Sequence, residues 1–259
     1  MAIQEPYCYD RKIALLGNLQ VLHYTNPDEN PYTSFVVINK NLNVQLQTNH
    51  TNRYFTTIII HHEGINYVMI TFYCSPYEDI TEPLNELNNT VQHHSKFPIL
   101  IMGDFNVKSP IWFSPIEDPR GSKLVELMNS LGLQSLNTSK LPTYSSTTGE
   151  SWVDVCLANK HLADNKIQCS TLSEHTASDH NYIGISIEIP GGIQKLKIKQ
   201  KTNWEIYQKH ITENWNSHNL AYIDNIKDLE EIINKLQMII QIAYYKATKI
   251  NTVKQTSPW

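Results

Sequence analysis

Four consecutive apolar residues, Ile99-Leu100-Ile101-Met102, run directly into Gly103-Asp104-Phe105-Asn106. A run that is apolar at every position must be covered on both faces, which is the pattern of a central strand in a layered α/β domain. The glycine ends the run and leaves a carboxylate and a carboxamide two residues apart at its tip. Further along, Ser178-Asp179-His180 sets a carboxylate beside an imidazole. Phosphodiester hydrolysis needs an in-line water, neutralised non-bridging oxygens and help for the departing alkoxide, and these are side chains of the right kind. Each motif alone is also ordinary turn or cap chemistry. Their joint occurrence in one order carries the reading.

The segments around this run switch between the two backbone periods. Residues 54–60 and 67–73 are β-branched and aromatic and flank Glu63-Gly64-Ile65-Asn66, the composition of a hairpin. Residues 81–94 carry Leu84, Leu87 and Val91 on one helical face, with Pro83 tolerable in a first turn and Phe97-Pro98 as the stop. Residues 121–131 repeat the pattern with Leu124, Leu127, Met128 and Leu131, and Gly132 ends them. Residues 152–158 and 182–189 read as strands. Strands interleaved with helices in this uneven way imply an α/β layered domain.

At Pro190-Gly191-Gly192 the character changes. Lys195, Lys197, Lys199 and Lys201 alternate with Leu196, Ile198 and Gln200, and residues 204–215 and 226–247 then read as helices. The second helix has an apolar stripe of Ile226, Leu229, Ile232, Ile233, Leu236, Ile239, Ile240 and Ala243. We therefore expect a first domain over 1–190, and a basic strand or linker with a helical extension over 191–259. The lysine segment is either a DNA-facing strand or a solvated edge protected by its charges.

Composition narrows the classes. At 259 residues, 41% apolar, the chain can bury a sizeable core. It has no apolar run near the roughly 20 residues that span a bilayer, and its start has neither a basic nor an apolar leader region, so an intracellular protein is expected. Cys8, Cys74, Cys156 and Cys169 form no C-x-x-C pair, which argues against a zinc knuckle or a disulfide framework. His61-His62-Glu63 and His93-His94 are set aside as zinc ligands, because adjacent side chains on a strand point to opposite faces. A net charge of −4 is no electrostatic footprint for nucleic acid, yet a metal-dependent site supplies its own positive charge.

The residue types suggest roles. Glu5, ahead of Pro6 at the end of a short apolar start, and Asp179 are the candidate metal ligands, for Mg²⁺ with Mn²⁺ as the alternative. Asp104 would orient or deprotonate the water. Asn106, on the same side if the backbone stays extended, would donate to the phosphate or hold the water. His180 would act on the phosphate or leaving oxygen, with its pKa raised by a carboxylate for which Asp154 is the best candidate. Tyr73, at a strand end before Cys74-Ser75-Pro76, would donate its phenol to the phosphate.

In chain order, Gln4-Glu5, Tyr73 with Pro76, Gly103-Asp104-Phe105-Asn106, Ser151 with Asp154, and Ser178-Asp179-His180 resemble the motifs of the endonuclease/exonuclease/phosphatase superfamily. The resemblance covers nearly all of 1–190. It implies a four-layer α/β sandwich of two packed mixed β-sheets flanked by helices, and it leaves the substrate open. Asn106-Val107-Lys108-Ser109-Pro110-Ile111-Trp112, Asp118 with Arg120-Gly121, Leu131-Gly132-Leu133, Leu141-Pro142-Thr143-Tyr144 and Ser151-Trp152-Val153-Asp154-Val155 are similar to the endonuclease domain of insect-type non-LTR retrotransposon polyproteins. In those polyproteins a helical linker leads to the reverse transcriptase, and Trp204 and Ser257-Pro258-Trp259 match its two ends. What this implies is a Mg²⁺-dependent DNA endonuclease, acting in the nucleus beside a reverse transcriptase region, that nicks target DNA to expose a priming 3′-hydroxyl. The family's first strand has no counterpart ahead of Gln4-Glu5, so an N-terminal strand is expected to be missing, with an unpaired sheet edge in its place. Two alternatives follow: a catalytically silent remnant that binds nucleic acid or a partner, and a superfamily phosphatase acting on a lipid or inositol phosphate.

Overall fold

The computed structural model describes residues 1–9, 11–14, 19–26, 28–147, 149–163, 166–174, 176, 178–188, 197–215 and 226–253. The chain divides into two compact units, the first reaching to Pro190 and the second running on from Gly191.

The apolar run is the centre of the first unit. It forms β9 (Ile99–Asp104), which lies parallel to β8 (Ile65–Tyr73) and antiparallel to β13 (Asp154–Asn159). With β6 (Asn43–Leu46), β7 (Phe55–His62) and β10 (Leu133–Ser135) these strands make a six-stranded mixed sheet in the order β10-β13-β9-β8-β7-β6. The β7–β8 hairpin closes through Glu63 (φ 49°) and Gly64 (φ 78°), the paired positive φ that a two-residue turn matching the strand twist requires.

Both faces of this sheet are apolar, as the unbroken run demands. On one face Val68, Ile70 and Phe72 of β8, Ile99 and Ile101 of β9, and Val155 and Leu157 of β13 meet α1 (Thr81–His93) and α2 (Pro119–Leu131) through Leu84, Leu87, Val91, Leu124 and Met128. On the other, Tyr67, Leu100 and Ala158 gather Leu162 of α3 (Lys160–Ala163), Ile167 of β14 (Lys166–Thr171), and Ile185 and Ile187 of β15 (Ile183–Glu188). The helix ends follow their residues. Asp118 caps α2 at the Gly121 N–H, Pro119 opens the helix, and Gly132 (φ 62°) closes it in the left-handed region.

A second strand layer faces the mixed sheet. β1 (Ala2–Gln4), β4 (Gln20–His23) and β5 (Thr33–Val37) are antiparallel in the order β1-β5-β4, and β2 (Cys8–Tyr9) pairs with β3 (Lys12–Ile13). Polar contacts stitch the layers: Thr33 Oγ1 lies 2.9 Å from Thr56 Oγ1, and Gln4 Nε2 donates to Thr71 Oγ1 at 2.7 Å. A mixed sheet flanked by helices and faced by a second strand layer is thus the observed α/β sandwich. Among the described residues the second layer differs from expectation in being antiparallel and in separate pieces, with β14–β15 apart from β1-β5-β4. β1 is the edge of its own sheet, paired by β5.

In the second unit, β16 (Lys197–Thr202) is the lysine segment, and it pairs antiparallel with β17 (Thr248–Val253). α4 (Trp204–Asn214) starts under an Asn203 cap and packs against α5 (Ile226–Ala247), which buries Ile239, Ala243 and Ala247. The side chains of the lysine strand, Pro190-Gly191-Gly192 and Ser257-Pro258-Trp259 lie outside the described residues. Among the described residues no helix is long and apolar enough to cross a membrane.

Gly103 lies beside Phe72 with φ at 151°, and a Cβ there would sit 1.9 Å from the Phe72 carbonyl oxygen. Gly103→Ala is expected to cost about 2–4 kcal/mol, because neither backbone can retreat without opening the β8–β9 ladder. Urea unfolding followed by tryptophan fluorescence measures this, and an unchanged midpoint would remove the argument.

Candidate active site

The strand register does the first part of the assembly. Tyr73 is paired with Asp104 across β8–β9, and Asp104 with Asp154 across β9–β13, so three polar side chains end three adjacent strands in one row. Directly opposed residues on neighbouring strands project to the same side of a sheet. Asp104 and Asp154 are both buried there, two like charges at close quarters.

His180 resolves the repulsion. Its Nδ1 is 2.9 Å from Asp154 Oδ2, and its Nε2 is 3.9 Å from Asp104 Oδ2. An acceptor carboxylate at Nδ1 fixes that nitrogen as a donor and turns Nε2 toward the open side of the row. Burial alone would lower the imidazole pKa, but the Asp154 hydrogen bond and charge, with Asp104 and Glu5 behind them, raise it to about 9. Asp104 is pushed up to about 7 by burial first and by the Asp154 and Glu5 charges next, against the pull of His180 and of the Asn106 N–H. A carboxylate titrating near neutrality beside a standing imidazolium is the pairing an acid–base site requires.

Asp104 and Asn106 do converge, though not on an extended backbone. Asn106 has φ 50°, and the left-handed turn lets Asp104 Oδ1 accept its main-chain N–H while Asp104 Oδ2 accepts its Nδ2, both at 2.9 Å. Nδ2 also donates to the Cys74 carbonyl at 3.3 Å. Asn is among the few residues that enter this region cheaply. Glu5, directly after β1, is also left-handed (φ 48°), and its N–H donates to the Tyr32 carbonyl at 2.9 Å. Its carboxylate is hydrogen-bonded to Tyr73, whose pKa is raised by burial first and by this contact and the Glu5 charge next, so the phenol keeps its proton.

Tyr73, Asp104, Asn106, Asp154, His180 and Glu5 therefore meet at one end of the mixed sheet. Asp179 is next to His180 and exposed, and among the described residues only its main-chain carbonyl is engaged, accepting from the Ser145 N–H at 2.8 Å.

Several residues that hold this cluster were not assigned roles from sequence. The Arg120 guanidinium donates to the carbonyls of Asn106 (3.0 Å), Phe105 (3.2 Å), Ser75 (3.2 Å), Cys74 (3.4 Å) and Glu78, clamping the exit of β8 onto the turn after β9. Buried Thr143 accepts the N–H groups of Val153 and Asp154 at 3.0 and 3.1 Å, just ahead of β11 (Tyr144–Ser146), which pairs with β12 (Gly149–Ser151). Tyr144 is bridged to His180 and sets its ring edge-on to the imidazole at 5.1 Å. Their signal in sequence was weak, since only the fold makes them neighbours.

With this geometry in hand, the likeness to known proteins is specific. Residues 67–184 match the family model described as endonuclease-reverse transcriptase. The endonuclease domain of TRAS1, a telomere-specific non-LTR retrotransposon, superposes with a TM-score of 0.65 at 24% identity, over 73% of this chain and 85% of that one. The AP endonuclease LMAP from Leishmania major gives 0.54 at 10% identity, over 66% and 71%. No curated protein matches the chain. The chain shares its fold with these two endonucleases, and over residues 67–184 its sequence resembles the endonuclease-reverse transcriptase family.

Two measurements test the electrostatics. Asp104 and His180 both titrate above their ordinary values of 3.8 and 6.5, so each contributes stability at low pH and loses it as pH rises, through about 7 for Asp104 and about 9 for His180. Asp104→Asn removes the first loss, and its Tm is expected to overtake that of the unmodified chain by a few degrees between pH 5 and 8. Asp154→Asn is expected to lower the His180 pKa by at least about one unit, read from the imidazole proton shifts by NMR titration. A His180 pKa unmoved by this change would break the assigned pairing.

Proposed function

We propose that this chain is a metal-dependent DNA endonuclease, and that it nicks target DNA in the nucleus to expose a 3′-hydroxyl for a reverse transcriptase of the same polyprotein. The observation that carries the reading is the row of Tyr73, Asp104 and Asp154 with His180 held between the two carboxylates. The likeness of residues 67–184 to the endonuclease-reverse transcriptase family directs it toward DNA.

The donor set suits a hard divalent cation. Glu5 adds its charge to a cluster already rich in carboxylate, a small contribution beside burial at Asp104 and beside Asp154 at His180 and a larger one, after burial, at Tyr73, and oxygen ligands with surplus negative charge are what Mg²⁺ takes. Glu5 would hold the ion, with Asp179 as second ligand, and Mn²⁺ would substitute. When bound, the ion neutralises charge on the scissile phosphate.

The remaining work falls to side chains. Asp104, poised near neutral pH, takes the proton of the attacking water. Asn106 spends both amide hydrogens on fixing Asp104 and the Cys74 carbonyl, which leaves its Oδ1 to hold that water. His180, kept cationic by Asp154, faces the phosphate or the leaving oxygen through Nε2. Tyr73, kept protonated beside Glu5, donates its phenol to a non-bridging oxygen.

The test is conversion of supercoiled plasmid to open circles in Mg²⁺, for the unmodified chain beside Asp104→Ala and His180→Ala. Each variant is expected to nick at least about 100-fold more slowly, the usual worth of a positioned acid or base. Equal nicking by all three, or none by the unmodified chain, would overturn the proposal. Release of inorganic phosphate from an inositol polyphosphate would favour the phosphatase alternative.

A further inference from the structure

A second cluster of titratable side chains lies away from the row. His50 ends a 3₁₀ turn (Thr48–His50) between β6 and β7, His93 is the last residue of α1, and His94 caps that helix. One ring nitrogen from each lies within 4.8 Å of the others. The rings are gathered on one another, with centroids 4.2 Å apart for His50 and His93 and 4.8 Å for both pairs that include His94. The rule that adjacent side chains point to opposite faces holds for a strand, whereas His93 and His94 close the helix expected over 81–94, and His50 comes to meet them from a distant part of the chain.

We propose that His50, His93 and His94 form a binding site for a borderline transition-metal ion, Zn²⁺ first, with a water or exogenous ligand in the fourth position. Three imidazoles and one open position are an established donor set for that ion, and Mg²⁺, which takes oxygen ligands, does not compete for it. In a tetrahedral site with Zn–N near 2.0–2.1 Å the nitrogens stand about 3.4 Å apart, so closing the site asks the rings to move inward by about an ångström.

The surroundings prepare the donors. His94 is 3% exposed, and its Nδ1 faces the Thr90 carbonyl at 2.9 Å. A carbonyl only accepts, so Nδ1 carries the proton and Nε2 keeps the lone pair, the outer arrangement that orients a metal-bound histidine. The carbonyl end of α1 also favours positive charge at this place. A bound ion would tie the segment before β7 to the end of α1.

This place is distinct from the catalytic row. α1 carries the chain back from the Tyr73 end of β8 to the Ile99 end of β9, and thirteen helical residues span about 20 Å.

The experiment adds Co²⁺ to the metal-free chain in excess Mg²⁺, which leaves the oxygen site filled, and records visible absorption. One equivalent is expected to give the intense bands of a four- or five-coordinate ion, and Zn²⁺ to displace it and raise the Tm. His50→Gln and His93→Gln, both away from the buried His94, are each expected to weaken binding at least about 100-fold and abolish the Tm rise, while nicking in Mg²⁺ is unchanged. Absence of the bands in the unmodified chain, or bands that persist in both variants, would overturn the site.

Discussion

Two carboxylates set directly opposite each other on neighbouring strands are the constraint around which the first unit is organised. The β9–β13 register that aligns the apolar residues of the central strands also aligns Asp104 with Asp154, and a slip by one residue would turn every one of these side chains to the wrong face. The core and the site are therefore specified by the same pairing. Buried like charges at that distance need a cation between them, and His180 supplies it from a segment with no strand pairing to β9.

Holding His180 in that position is the work of main-chain hydrogen bonds more than of packing. Thr143 receives two N–H groups from the approach to β13, its carbonyl receives the Asn181 N–H, and Ser145 is tied to the Asp179 carbonyl. These links make one braced unit of the two segments that carry Asp154 and His180. Arg120 does the same for Tyr73 and Asp104, because its planar fork reaches five carbonyls that a lysine would meet one at a time. Imidazole and carboxylate are thereby kept within hydrogen-bond reach before any substrate arrives, which is the pre-organisation that acid–base and electrostatic catalysis depend on.

The parts of this arrangement that were legible in sequence are those governed by local period and local turn chemistry. The unbroken run at 99–102, the helical spacing of Leu84, Leu87 and Val91, and the Glu63-Gly64 turn each express one backbone geometry, and each appears where its pattern lies. The site residues were legible as types in order, and their register was not. An extended backbone was the natural guess for Asp104 and Asn106, and the left-handed turn replaced it because Asn106 gains two hydrogen bonds to Asp104 there. Arg120 and Thr143 stood in segments that carried a resemblance, but nothing local to them gave either a role. β17 was hidden for the same reason, since a strand paired with a distant partner across two helices leaves no hairpin signature.

The two histidine clusters show how one side chain is set to opposite tasks by its neighbours. His180 is half-buried among acidic groups, and their attraction outweighs desolvation, so it stands as a cation near neutral pH. His50 is half-buried and His94 buried among other imidazoles, where desolvation and mutual repulsion both pull the pKa down. The same contrast sorts metals. Glu5 and its neighbours offer hard oxygen to an ion like Mg²⁺, and a cationic His180 repels any softer ion that would compete there. The ring cluster offers nitrogen alone and is indifferent to Mg²⁺. If both sites are filled, their occupancies are set by different ions, and a chelator selective for zinc would loosen the end of α1 without touching the chemistry at Asp104.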